Sequence, residues 1–204
     1  MATTDSQRNE RPAKEGEVHC LRRHDRGRDD EWIREFLAWA PFGFLATVAE
    51  SRPFLNSNLF VYAPESHCIY LHTARTGRTP ENVSRGGFAT FSVATMGRFL
   101  PAPEALEFSV EYAAVVAFGE IRPVTDEEER KRAMESVMRK YAPHLEPGAD
   151  YRAITAKELA RTGVHRLDID VWSGKEKVAP PGFPGAYRLP MDDWITTTSQ
   201  QGRN

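Results

Sequence analysis

The chain has 204 residues, of which 40% are hydrophobic, 10% aromatic and 27% charged. This composition is globular, long enough for one sizeable core, and unlike that of disordered, collagen-like or coiled-coil chains. Its 27 basic and 29 acidic side chains leave a formal charge of -2, so there is no bulk attraction for nucleic acid or an anionic membrane, and any bound anion must be met by a local site.

Residues 1–28 are rich in Arg, Glu, Asp, Gln and Ser, with only Val18, Cys20 and Leu21 as scattered apolar positions; this predicts an extended or disordered arm. Met1 to Glu17 holds no apolar stretch that could serve as a signal-peptide core, and the longest apolar run, Phe42 to Ala49, is far below the ~20 residues of a membrane span. Cys20 and Cys68 cannot build a multi-bridge framework, and reduced thiols in a cytoplasmic protein fit best.

The folded domain is expected over 29–178. Asp29 or Asp30 caps a helix with apolar positions Ile33, Phe36, Leu37 and Ala40, stopped by Pro41. Three strands follow, Phe42 to Ala49, Arg52 to Ala63 and Ser66 to Ala74, joined by short turns into an antiparallel meander. Thr79 caps a short helix with Pro80 at its first position, and Gly86-Gly87 ends it. Phe88 to Phe99 and Phe108 to Val124 are long strands separated by Pro101-Ala102-Pro103. Thr125-Asp126-Glu127-Glu128 and Thr155-Ala156-Lys157-Glu158 are capping boxes opening two amphipathic helices. After Gly163 the chain alternates again, Val164, Leu167, Ile169 and Val171 against Arg166, Asp168 and Asp170.

Residues 179–204 form an irregular tail. Pro180-Pro181-Gly182-Phe183-Pro184-Gly185 breaks every period, while Phe183, Tyr187 and Trp194 suggest that the tail lies on an apolar surface of its own domain or of a partner subunit. The fold class is therefore mainly antiparallel β with flanking helices, and such a sheet avoids exposed edges most simply by closing into a barrel.

The stretch His72-Thr73-Ala74-Arg75-Thr76-Gly77-Arg78-Thr79-Pro80 joins a strand end to a helix start. Two arginines, three threonine hydroxyls and a flexible glycine converge there, which suits a phosphate; a solvated basic turn is the other reading. On the strand from Phe54 to Tyr62, alternation puts Leu55, Ser57, Leu59 and Val61 on a core face and Phe54, Asn56, Asn58, Phe60 and Tyr62 on the other. The second face fits a flat heteroaromatic ligand, a subunit interface, or a half-buried sheet with satisfied amides. His72 has no recognisable nucleophile or orienting acid beside it. The remaining histidines show no pair at metal-ligand spacing, so no metal site is expected. Trp172-Ser173-Gly174-Lys175-Glu176 ends the last strand with an aromatic, a turn and a cation.

Taken together, Phe42-Gly43-Phe44-Leu45-Ala46-Thr47, Arg52-Pro53-Phe54, Ile69-Tyr70-Leu71-His72-Thr73 with Thr76-Gly77-Arg78, Glu111 through Gly119, and Trp172 through Glu176 resemble the pyridoxamine 5'-phosphate oxidase-like superfamily, and within it the nitroimidazole-resistance (Nim) branch. The likeness runs from about Arg23 to Val178. It implies an FMN-binding split β-barrel that works as a homodimer with flavin sites at the subunit interface. It also implies FMN-binding roles for Phe54, Leu55, Asn56, Ser57 and Asn58 along the isoalloxazine, for His72, Thr73, Thr76, Gly77 and Arg78 around the phosphate, and for Trp172 and Lys175 near the flavin.

One departure stands out: Nim-type members often carry Tyr-Arg-Ser-Val where this chain has Tyr112-Ala113-Ala114-Val115, which removes a cation and a hydroxyl. The Arg and His that hold pyridoxal phosphate in the true oxidases have no counterpart near the C-terminus, so that activity is not implied. The expected function is an FMN-dependent oxidoreductase acting on a small planar, nitroaromatic or related substrate; the alternative is a non-catalytic flavin- or haem-binding dimeric barrel serving as carrier, sensor or sink.

Overall fold

The computed structural model describes residues 19–190. The Trp194 side chain, the polar end from Thr196 and the leader to Val18 lie outside the described residues. The chain divides into two compact units. The first runs to Ala94 and resumes over Ala114–Lys175; the second comprises Thr95–Ala113 and the chain from Glu176 onward.

A short strand β1 (Gly27–Arg28) precedes α1 (Asp30–Trp39). Asp29 caps α1 by accepting from the Trp32 amide, and Ile33, Phe36 and Leu37 are buried at the expected helical spacing. β2 (Gly43–Ala49) turns through Glu50 and Ser51, both at positive φ (54° and 60°), into β3 (Arg52–Asn58). Two consecutive left-handed residues match the right-handed twist of a tight hairpin.

The predicted strand Arg52 to Ala63 is two strands. After Leu59 the chain leaves β2 and becomes β4 (Phe60–Ala63), which pairs with β5 (Cys68–Ala74). The meander is corrected accordingly: the β2–β3 and β4–β5 hairpins occupy opposite ends of the strand order β3-β2-β6-β7-β8-β5-β4. The facing assignment is also reversed. Leu55 is 62% exposed and Leu59 is exposed, whereas Phe60 and Tyr62 are buried. β3 lies at the end of the order, and only its Asn56 side is covered.

α2 (Arg78–Ser84) begins earlier than predicted. Gly77 at φ 117° is its cap, and Thr79 lies inside the first turn with its side chain buried; a glycine at this angle turns the chain without a Cβ penalty. β6 (Phe88–Leu100) and β7 (Ser109–Pro123) are adjacent long strands, as expected. α3 (Glu127–Tyr141) is capped by Asp126, whose carboxylate accepts from the Glu129 amide at 2.7 Å, rather than by Thr125. α4 (Ala156–Arg161) carries the predicted capping box of Thr155 and Glu158.

β8 (Thr162–Lys177) pairs with β5 and continues through Trp172 without a turn. A Cβ on Gly119 of β7 would fall 1.8 Å from the Asp168 carbonyl oxygen of β8, so these backbones approach as only glycine permits. The inner face of the first unit collects Leu45, Phe60, Ile69, Leu71, Phe91 and Leu167, all at most 1% exposed, with Phe60 and Phe91 rings 4.8 Å apart. On the opposite face of β5, Cys68 and Tyr70 pack with Val124, Ala133 and Val164. Neither cysteine is in a disulfide, and burial pushes the Cys68 thiol up.

In the second unit, Arg98 grips Glu111 through two nitrogens at 2.6 and 2.9 Å and donates to the carbonyls of Ala179, Pro180 and Pro181. The Ala179 amide returns a bond to Glu111, and Arg98 holds the Glu111 carboxyl at about 2. This clasp fixes the start of the C-terminal tail, and Tyr187 exchanges backbone bonds with Phe99.

Candidate functional site

Asn56 and Asn58 are two residues apart on an extended strand and therefore share a face. Asn56 Nδ2 donates to Asn58 Oδ1 at 3.1 Å and to Thr79 Oγ1 at 3.2 Å, and Asn58 Nδ2 reaches the His72 carbonyl at 3.5 Å. β3, β5 and α2 thus meet at one place, although β3 and β5 are not ladder neighbours. Phe54, on the same face as Asn56, pairs with Thr47 of β2.

One turn beyond Thr79, Asn82 Nδ2 donates to Thr47 Oγ1 at 2.9 Å, while its Oδ1 is buried without a partner. On β5 the Thr73 hydroxyl donates to the Ala74 carbonyl at 2.7 Å, so its oxygen accepts from His165 Nε2 at 2.9 Å. This assigns the proton of the neutral imidazole to Nε2 and leaves Nδ1 as an acceptor, buried and unpartnered. Burial, reinforced by the nearby His72 imidazole, pulls His165 from the ordinary 6.5 to about 4.

Thr47, Thr79, Asn82 and His165 are the four buried polar side chains among the described residues, each at most 5% exposed. Thr79 and His165 bond into the Asn56, Asn58 and His72–Thr73 cluster, and Thr47 and Asn82 bond each other, Asn82 one turn beyond Thr79 on α2. Burying polar groups costs free energy that only hydrogen bonds offset, so their concentration at one end of the sheet, with two acceptors unmatched, marks it as a place built for polar contacts.

The turn beside it is exposed at Thr76, Gly77 and Arg78. Arg75 is spent on the Ala160 carbonyl at 2.8 Å, whereas no hydrogen bond or ion pair among the described residues engages Arg78. His72 contributes its carbonyl rather than its ring. Alternation groups its side chain with Tyr70 and Cys68, opposite Thr73, and burial lowers its pKa.

The other predicted site residues fall elsewhere in the chain. Leu55 and Ser57 point to the face opposite the amides. Trp172 is 4% exposed and lies inside β8, not at its end; its Nε1 donates to Asp30 at 2.8 Å, and His67 and Tyr62 pack on its ring. It stands seven residues along β8 from His165, roughly 23 Å at strand rise, so Trp172 and Lys175 do not join Asn56 and Arg78 within one chain.

Thr47, Asn82 and His165 were missed from sequence. For His165 a signal existed, because alternation groups it with Leu167 and Ile169 on the buried face of β8.

Antiparallel strands in this order, flanked by four helices, with a polar cluster where β3, β5 and α2 converge, define a split β-barrel. The family model for pyridoxamine 5'-phosphate oxidase matches residues 29–176, and the chain belongs to that family. No curated protein matches it significantly. Among solved structures, the flavocytochrome Anf3 from Azotobacter vinelandii is similar with TM-score 0.70 and 20% identity, over 88% of this chain and 78% of that one. The FAD- and haem-binding protein from Mycobacterium smegmatis gives TM-score 0.67 and 22% identity over 86% and 79%. A candidate 5-nitroimidazole antibiotic resistance protein from Bacteroides thetaiotaomicron gives 0.60 and 18% over 74% and 86%. Among the described residues no helix is long and apolar enough to cross a membrane.

Proposed function

We propose that the chain is an FMN-dependent oxidoreductase of the Nim type, working as a homodimer on a small planar, nitroaromatic or related substrate. The observation that carries this reading is the convergence of the amide face of β3, the buried polar cluster and the uncommitted Arg78 in a member of this family. A flavin mononucleotide presents a phosphate and a planar ring with polar edges; the residues here fit both ends.

Arg78, with the hydroxyl of Thr76 and the unblocked backbone at Gly77, would hold the phosphate, Arg being suited to its oxygens, while Thr73 keeps its hydroxyl on the Ala74 carbonyl and His165. Asn56 and Asn58, partly exposed and fixed by Thr79 and the His72 carbonyl, would present amides to the ring edge beside Phe54. When bound, the flavin supplies hydride or electron transfer. The chain's own part is to orient the ring and exclude water with the core behind Phe91 and Phe60.

Dimerisation is supported by the uncovered apolar face of β3, β2 and β6. Leu55, Val48 and Phe88 are 62%, 65% and 73% exposed, and the register aligns Ala46 with Leu55 and Thr90, placing Phe44 and Val48 on the same side. Such a patch on a monomer marks an association surface. Leu55, Ser57, Trp172 and Lys175 would then act at a site completed by the second copy, with Trp172 held in its own subunit by Asp30.

A second reading is a barrel that binds haem or FAD without turnover. It is favoured by the haem and flavin ligands named for the two structures of highest TM-score given above. The absorbance spectrum of the purified protein separates the readings, flavin bands against a Soret band. Titration with FMN followed by flavin fluorescence tests the site: Arg78→Ala should weaken FMN roughly 10- to 100-fold, the worth of a charge-assisted contact. Unchanged affinity would remove Arg78 from the phosphate site, and failure to bind any flavin would remove the leading reading.

A further inference from the structure

An opening of about 360 Å³ lies between the C-terminal end of α1, β4 with the following turn, and the last turns of α3. Its walls include Ala38, Val61 and Ala63, and its charged groups are Glu65, Arg139 and Lys140. None of these belongs to the Asn56 cluster, and the volume falls in the range of small-molecule sites.

Lys140 is the unusual member. Its Nζ donates to the Leu37 carbonyl at 2.9 Å and sits 3.6 Å from the centre of the Phe60 ring and 5.4 Å from that of Tyr141. No carboxylate among the described residues lies within ion-pair distance of it. An ammonium has three donors and no acceptor, so one carbonyl leaves two N–H groups without a protein acceptor, in surroundings that have replaced much of its water with aromatic rings. Burial correspondingly brings the amine down to about 8. An incoming anion would meet a cation whose desolvation has already been imposed by the fold, which is the preorganised arrangement that favours binding.

The charge count selects the ligand. Arg139 and Lys140 against Glu65 leave one net positive charge, which balances a monoanion and not a phosphate dianion; Ser136 and Tyr62 add two hydroxyl-bearing side chains to the lining, and Ala38, Val61, Ala63 and Pro64 supply its apolar wall. We propose that this pocket binds a small organic monocarboxylate, its carboxylate on Lys140 and Arg139 and its hydrocarbon body against Ala38, Val61 and Ala63.

Calorimetric titration of the full chain with benzoate at neutral pH tests this site separately from the flavin site. Benzoate should bind saturably, and benzyl alcohol and inorganic phosphate at least tenfold more weakly. Lys140→Met should weaken benzoate tenfold or more. Arg139→Gln, a surface change that leaves the fold intact, should weaken it about threefold, and Arg78→Ala should leave it unchanged. The proposal is overturned if benzoate does not bind, if benzyl alcohol or phosphate binds equally well, if Arg139→Gln has no effect, or if Arg78→Ala abolishes binding.

Discussion

Acidification should destabilise this protein through the imidazoles that burial keeps neutral, His165 and His72, and a single substitution should remove the His165 component. His165 is held neutral at about 4 in the folded chain, against an ordinary 6.5. Between those two values the unfolded chain binds a proton that the folded chain refuses, so stability is present above pH 6.5 and falls as the pH drops toward 4. A full pKa unit corresponds to about 1.4 kcal/mol. From pH 7 to pH 5 the unfolded histidine becomes almost fully protonated while the folded one gains about a tenth of a proton, a loss of roughly 2 kcal/mol as an upper limit. Glu111 and Glu158, held at about 2 by Arg98 and Arg152, titrate mostly below this window and cancel in a comparison of variants. His165→Gln keeps a donor for Thr73 Oγ1 and cannot be protonated. Urea unfolding of both proteins at pH 7 and pH 5 should show the wild type losing about 2 kcal/mol more than the variant. Equal losses would refute the reasoning and place the His165 side chain in contact with water or with an acceptor that stabilises its charged form.

Other substitutions probe the same site and its frame. Asn82→Ala should lower stability by about 1–3 kcal/mol, because the buried Thr47 hydroxyl loses its donor, read as a shift in the thermal midpoint; the double variant with Thr47→Val should recover part of the loss. Gly119→Ala forces a methyl into the Asp168 carbonyl and should cost at least about 3 kcal/mol, at or beyond the upper end of overpacking, checked by denaturant unfolding or loss of soluble protein. If the proposed dimer forms through this face, Val48→Glu, which places a charge on the exposed face of β2, should shift sedimentation from dimer to monomer at micromolar concentration without altering the far-ultraviolet circular dichroism; a variant that sediments as the wild type does would remove this face from the interface. Lys140→Met should raise stability at neutral pH and flatten its increase with alkaline pH. The folded amine titrates near 8 and the unfolded one near 10.5, so the wild type gains stability across that window as the proton is shed.

Local chemistry in the sequence accounts for much of this structure. Asp29 before an apolar helical stripe, the Thr155 and Glu158 pair, and the alternation of β8 each specify an element through neighbours within four residues, and each forms where it is expected. The two halves of the candidate site were also legible separately, because two amides at period two and a Gly-containing basic turn are short-range patterns, whereas their meeting through Thr79 and the His72 carbonyl spans strands that are not ladder neighbours. Three features were not. The break at Leu59 arises because the chain exchanges one strand partner for another, and nothing within the apolar alternation from Leu55 to Val61 records which partner is taken. The outward face of β3 follows from its terminal place in the strand order: Leu55 and Leu59 read as core by polarity, yet no layer of the described chain covers them. Trp172 read as a strand-end aromatic near the ligand because the sequence cannot show that α1 brings Asp30 to its indole nitrogen. Periodicity, caps and turns act over a few residues and are written in the chain itself. Which faces are covered, and which distant polar atoms meet in the dry end of the barrel, depends on strand order, and only the tertiary structure decides that.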